Sequence, residues 1–353
     1  MKGIVRTLII LVVMVLVAGA GAYFLVPPKA SRTETFTVER PPASVFARLA
    51  STPPGTQLAE GVTLTSVTTA ENNTVVGTVS YPEGAVGHVT YTVTPEGEGA
   101  RVQVKLDQDL GPSPLSRLDA ITGGKVGPLA QAAATAVTAD LTALPTASFT
   151  GLAYDVVQIE AKPFFFVENC SASDAESITS IIAQAVAGIP PVMRAKNLTP
   201  SGPLLAVEPR VVQGQYCYQV GYPFSGRAPT GALLIGKAGQ TPGGTMLHVH
   251  YAGVEADVMA QVYNRLDALV AAAHLDNPGT TDDDWTTFEV YNDDPMQPGG
   301  SKNREVYYVT QGDISRLTTI APPTASAPVP AATAPATTTE TTAPAATTAT
   351  TTP

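Results

Sequence analysis

Residues 285–295 read WTTFEVYNDDP. A glutamate, Glu289, stands among Trp285, Phe288 and Tyr291, and an Asn-Asp-Asp-Pro turn closes the run. Strand residues alternate between faces, so Thr287, Glu289 and Tyr291 share one. If that face meets a groove, a carboxylate between aromatic walls would attract an organic cation. Each aromatic ring adds about 0.5–2 kcal/mol of cation–π attraction. The carboxylate could also act as a general base, although the sequence fixes no second acid or nucleophile beside it. A surface glutamate on an edge strand is the alternative. Tyr251, Tyr263, Trp285, Phe288 and Tyr307 are candidate walls, and each would serve equally well as plain core.

The other chemistry-bearing residues form no complete constellation. His248 and His250 alternate on one strand and share a face. A His-x-His pair needs a third ligand to hold a metal, and none is evident. Asp282, Asp283 and Asp284, with Asp293 and Asp294, lack the spacing of a calcium loop. They read as solvated acidic turns. His88 stands alone. No metal and no cofactor is called for. Cys170 and Cys217 have neither C-x-x-C nor zinc spacing. In an exported chain they could pair, provided their Cα atoms come within about 7 Å. Two buried free thiols are the alternative.

Composition bounds the compartment and the partners. The formal charge is −10, and the basic residues are scattered. No basic stripe is available to neutralise phosphates, which excludes a nucleic-acid binder. Lys2 and Arg6 precede a charge-free apolar run over residues 7–26, long enough to cross a bilayer at about 20 residues. Small residues at 18–22 offer a signal-peptidase site, but the run stays apolar beyond them. The expectation is an uncleaved single-pass anchor in an inner membrane. The basic start would place the N-terminus in the cytoplasm and the rest on the exported side. Residues 318–353 are dominated by Ala, Thr and Pro, with Glu340 their single charge. This tail lacks the apolar side chains that would offset ordering entropy and is expected to be disordered.

Between anchor (1–28) and tail lie two segments, 33–146 and 151–312, joined at Pro145-Thr146-Ala147-Ser148. The first opens with an alternating strand at 35–38. A short helix follows from Pro41-Pro42-Ala43-Ser44, with Val45, Phe46 and Leu49 on one face. Strands at 62–68, 74–81, 87–94 and 100–106 are separated by Gly and Asn turns. An Ala-rich helix over 115–144 closes the segment. This order, with VERPPASVF at 38–46, resembles the START-like polyketide cyclase and lipid-transport (SRPBCC) superfamily. The resemblance implies a helix-grip fold, whose last helix lies across a curved sheet and can enclose an apolar cavity.

The second segment repeats itself. A strand at 164–170 leads to a helix through Ile178, Ile181, Ile182 and Val186, then strands at 204–207 and 216–222. The order recurs with a strand at 246–251, a helix face of Val258, Val262, Leu266, Leu269 and Val270, and strands at 285–291 and 305–310. Two strand-helix-strand-strand units imply a pseudo-symmetric α+β domain with a groove between the two helices. In that topology the strands carrying Cys170 and Cys217 can be neighbours.

Three runs in this segment resemble the GyrI-like, or AraC-type effector-binding, family. They are Pro242-Gly243-Gly244, Tyr251-Ala252-Gly253 and Glu289-Val290-Tyr291-Asn292-Asp293-Asp294-Pro295, the last matching an E-x-Y-x-x-D-P signature. The resemblance implies a pocket for lipophilic, often cationic, small molecules, with the signature glutamate in it. Some members use that glutamate hydrolytically. The chain has no helix-turn-helix, so a transcriptional role is not implied. The expected protein is α+β throughout. It is a membrane-anchored exported binding module for a small hydrophobic or cationic amphipathic molecule. A Glu289-dependent hydrolase and a structural envelope protein with vestigial pockets are the alternatives.

Overall fold

The computed structural model describes residues 10–15, 17, 21, 28–111, 124–171, 175–212, 215–229, 235–275, 287–310 and 312–323. It is a mixed α+β protein built on two curled antiparallel sheets. The expected membrane span gains no support: among the described residues no helix is long and apolar enough to cross a bilayer. Most of residues 7–26 lies outside the described set, with only 10–15, 17 and 21 inside it as helix. Trp285 and the tail beyond residue 323 lie outside it as well.

The first sheet is a meander in the order β1-β6-β5-β4-β3-β2. Its strands are β1 (Lys29–Val38), β2 (Gln57–Ala59), β3 (Val62–Glu71), β4 (Thr74–Ser80), β5 (Val86–Glu96) and β6 (Gly99–Asp109). Strict alternation in β4, β5 and β6 buries Val75, Val79, Val89, Tyr91, Val93, Val102, Val104 and Leu106 on one face. Helix α1 (Pro42–Ala50) starts on a proline, whose fixed φ suits the first turn. Helix α2 (Val126–Thr142) adds Ala130, Ala133, Val137 and Leu141 to the same core. It touches both edge strands, β1 and β2. Contact with opposite edges is possible only because the sheet curls round the helix. The sequence placed the start of this helix at residue 115. Residues 115–123 lie outside the described set, and a turn at Lys125 precedes Val126.

The second sheet follows the path β12-β8-β11-β10-β14-β15-β13-β7, with the two-residue β9 (Thr199–Pro200) paired to β11 off it. The first repeat comprises β8 (Pro163–Ser171), helix α3 (Ala175–Ala195), β10 (Leu205–Val212) and β11 (Gln215–Ser225). The second comprises β13 (Gly244–Ala252), helix α4 (Asn264–Ala272), β14 (Thr287–Tyr291) and β15 (Asn303–Val309). The path is therefore symmetric about the β10–β14 pair. Two lead strands, β7 (Asp155–Ile159) and β12 (Lys237–Gln240), escaped sequence reading. Each precedes one repeat but pairs with the first strand of the other, so the halves interlock.

Helices α3 and α4 cover one face of this sheet. Ile181, Ile182 and Ile189 of α3 meet Phe165, Ala206, Val220 and Tyr291. Leu266 and Leu269 of α4, with Val258 and Val262 before it, meet Leu247, Val249 and Val306. The opposite face carries its own cluster of Phe164, Phe166, Leu205, Val207, Met246 and Phe288. Cys170 and Cys217 stand directly opposite in register. They are joined by a disulfide with Cα atoms 3.9 Å apart.

Helix α1 ties the two sheets together. Arg48 and Ser51 donate to the carbonyls of Ala271 and Ala272, each at 2.7 Å. These carbonyls lie in the last turn of α4, where intrahelical partners run out, and the Ala271 carbonyl also accepts from the His274 amide at 3.3 Å.

Candidate functional site

Directly opposed residues of an antiparallel pair share a face. Across β13, β15 and β14 one row reads Tyr251, Arg304, Tyr291. The next row on that face reads Val249, Val306, Glu289. This is the face that the helices cover. The opposite face presents His250, Glu305 and Val290, then His248, Tyr307 and Phe288.

The predicted residues are thereby split. Glu289, Tyr291, Tyr251 and Tyr263 lie together under the helices. Phe288 and Tyr307 stack on each other behind the sheet, with centroids 4.7 Å apart. Trp285 lies outside the described residues.

Glu289 is 8 % exposed and fully engaged. Arg304 Nη1 approaches its two oxygens at 3.3 and 3.1 Å. Tyr263 donates to Oε1. Tyr263 closes a π-helical turn, Met259–Tyr263, that precedes α4. Such turns shift side chains off the ordinary helical register and recur at functional sites. The Tyr291 hydroxyl also bonds to Glu289. Burial, and then the charge of Glu289, hold that hydroxyl well above the usual tyrosine range.

Arg304 is the residue that sequence reading missed. Its side chain is 2 % exposed. It also reaches Glu255, with Nη1 at 3.3 Å from Oε1 and Nη2 paired to Oε2. Nη2 donates to the Ser301 carbonyl at 3.0 Å, and the guanidinium sits 5.2 Å from the centre of the Tyr291 ring. Burial works against its charge, but Glu289 and Glu255 hold its pKa above the ordinary value. A buried charge persists only when paired in this way. Strand parity offered a signal, because Arg304 falls on the face of Val306 and hence of Glu289. Glu255, in the 3-10 turn Glu255–Asp257 after Gly253, had no such signal. Gly253 itself is dictated by packing: a side chain there would collide with the Tyr251 ring.

A cavity of about 340 Å³ opens beside this network. Ile178 and Ile182 of α3 form one wall. Tyr291, Glu255, Met296 and Ser301 are among the residues of the others. Glu289 does not line it and lies one layer deeper. Pro295, which ends the Asn-Asp-Asp-Pro turn, begins the loop to Ser301 that builds the outer wall. Asp293 accepts from Ser301 Oγ at 2.6 Å, from the Lys302 amide at 2.8 Å and from Gln297 at 2.8 Å. Partial burial works the other way, yet these bonds hold the Asp293 carboxyl below its ordinary pKa. The aspartate thus braces a loop.

Behind the sheet, Glu305 lies between His248 at 2.6 Å and His250 at 3.0 Å, and Asn292 donates to it at 2.9 Å. Burial opposes the charge of Glu305, but the two imidazoles hold its pKa below the ordinary value. Among the described residues no group of three or more His, Cys, Asp or Glu is placed to hold a metal ion.

No protein-family model matches the chain, and no curated protein matches it. Solved structures do resemble parts of it. An uncharacterized conserved protein from Listeria innocua is 10 % identical over 45 % of this chain and 92 % of its own, with a TM-score of 0.34. A structure of SAV2435 bound to tetraphenylphosphonium is 9 % identical over 46 % of this chain and 95 % of its own, with a TM-score of 0.34. CalU16 from Micromonospora echinospora is 14 % identical over 32 % of this chain and 87 % of its own, with a TM-score of 0.19. The GyrI-like and START-like readings remain resemblances.

Proposed function

We propose that this protein binds a small hydrophobic or cationic amphipathic molecule in the cavity between α3 and the 295–301 loop. The observation that carries the reading is that cavity. It has an apolar wall of Ile178 and Ile182, an aromatic wall of Tyr291 and one half-exposed carboxylate, Glu255. Apolar lining with few placed polar groups is the usual make-up of a small-molecule site, and about 300–1,000 Å³ is its usual size. The buried Glu289–Arg304–Tyr263 network gives Tyr291 a fixed backing. A hydrolase has less support, because Glu289 is bonded to Arg304 and Tyr263 and does not line the cavity. The apolar run at 7–26 supports a further part of the proposal, an anchor at an inner membrane with the binding unit on the exported side.

The test is calorimetric titration of the full-length chain with tetraphenylphosphonium, a lipophilic cation. Saturable binding that Ile182→Trp abolishes by filling the cavity is the expected result. Absence of binding by the folded wild type, or binding indifferent to Ile182→Trp, would overturn the reading.

A further inference from the structure

We infer that Glu255, and not Glu289, selects the charge of the ligand; this rests on the proposed binding reading. Two carboxylates, Glu289 and Glu255, share one guanidinium, Arg304. The cluster therefore carries one uncompensated negative charge. Glu289 is sealed beneath Tyr291, with Arg304, Tyr263 and Tyr291 as its partners. Glu255 lines the cavity, and its side chain is 50 % exposed.

A ligand entering beside Ile178, Ile182 and Met296 meets Glu255 without any existing bond having to break. A cation placed there extends an alternating row: Glu289, Arg304, Glu255, ligand. The row is then neutral. An anion would meet Glu255 first and be repelled, because Arg304 is screened behind it. The second observation is the loop seated on Glu255. A Cβ built on Gly300 would fall 2.9 Å from Glu255 Oε2 and 3.0 Å from its Cβ. Gly300 is also in the left-handed region, with φ +75°. The loop backbone thus lies against the carboxylate and, with Arg304, fixes its direction. Arg304 reaches the same loop through the Ser301 carbonyl. The charge selector and the cavity wall are one unit.

The experiment titrates the full-length chain with tetraphenylphosphonium and with the neutral triphenylphosphine oxide. It compares wild type, Glu255→Gln, Glu255→Asp and Glu289→Gln. The wild type should prefer the cation. Glu255→Gln should lose roughly three- to fivefold of cation affinity, with the neutral compound unchanged. Raising salt should shrink the wild-type preference and leave Glu255→Gln unaffected. Glu255→Asp should keep most of the preference, and folded Glu289→Gln, which removes a charge of the cluster but leaves the carboxylate that lines the cavity, should lose clearly less of it than Glu255→Gln; an equal loss in the two variants would overturn the inference.

A Glu255→Gln protein that retains the wild-type preference overturns the inference while leaving the binding reading intact, as does a wild type that binds both compounds equally. Wild type that binds neither compound overturns the binding reading itself. If Glu255→Gln loses both compounds, Glu255→Asp decides: recovery of both with the cation preference supports the charge role, and loss of both assigns Glu255 a purely structural role and overturns the inference.

Discussion

Replacing Arg304 with methionine would leave Glu289 and Glu255 without their shared cation. Methionine fills much of the same volume, so the loss is chiefly electrostatic. Glu289 suffers most, because its side chain is 10 % exposed and water cannot replace the guanidinium. Removing one partner of a buried pair costs about 3–5 kcal/mol, most of it the penalty of stranding the other charge. Glu255 is half-exposed and adds little. Urea unfolding of the full-length chain, followed by the single tryptophan, Trp285, two residues before β14, reads the loss. With a urea slope of about 3 kcal/mol per molar, the midpoint should fall by roughly 1–2 M. Glu255→Gln should move it by no more than a few tenths of a molar, as expected for an exposed pair worth about 0–1 kcal/mol. In the double variant Arg304→Met with Glu289→Gln, the stranded charge is gone. Its loss should be smaller than the sum of the single losses by about 0.5–3 kcal/mol. A midpoint within about 0.3 M of wild type for Arg304→Met, or strictly additive single losses, would refute the claim that Arg304 and Glu289 form one buried unit.

Reduction tests the β8–β11 staple: Cys170→Ser with Cys217→Ser should lower stability by about 2–4 kcal/mol, read as a denaturant midpoint that no longer responds to dithiothreitol. An unchanged midpoint would mean the bond contributes nothing. Acid tests the loop brace. The folded pKa of Asp293 is held below its unfolded value. Its stabilising contribution is therefore present above the unfolded pKa of about 3.9 and is lost as pH falls through the depressed folded value. Glu305 acts in the same direction. The urea midpoint should drop between pH 6 and pH 3, and Asp293→Asn should make that drop shallower; parallel profiles would count against the brace.

Much of the fold was legible because local rules agreed with one another. Period-two alternation gave the meander of the first sheet, and the i, i+4, i+8 face of Val258, Val262 and Leu266 is the buried face in the structure. The lead strands β7 and β12 were not legible. Each is short, and what defines it is a partner in the other repeat, which no local pattern encodes. The site was half legible for the same reason. Strand parity put Glu289 and Tyr291 on one face and Phe288 on the other; Tyr307 joins Phe288 only through the β14–β15 register. Treating all the aromatics near Glu289 in sequence as walls ignored that parity. The long-range partner, Arg304, reaches the face of Glu289 through the β14–β15 register, and the cavity carboxylate, Glu255, sits in a 3-10 turn whose place only tertiary packing sets.

The placement of the cavity follows from the interlocked sheet. Its apolar wall, Ile178 and Ile182, belongs to the first repeat. Tyr291, Glu255 and the braced loop belong to the second. The β10–β14 pair brings the two together, with Ala206 opposite Glu289 in register. A small residue there shares the helix-covered face with Glu289 and leaves room on it. Neither repeat carries all the walls alone, and the swapped lead strands keep the repeats from separating. Helix α1 extends the same logic to the first sheet, since Arg48 and Ser51 satisfy the carbonyl end of α4. The N-terminal end of that helical segment carries Tyr263 and, just before it, Glu255. One helical segment therefore meets α1, and through it the first sheet, at one end and the cavity at the other, which makes its position the physical link between the two units.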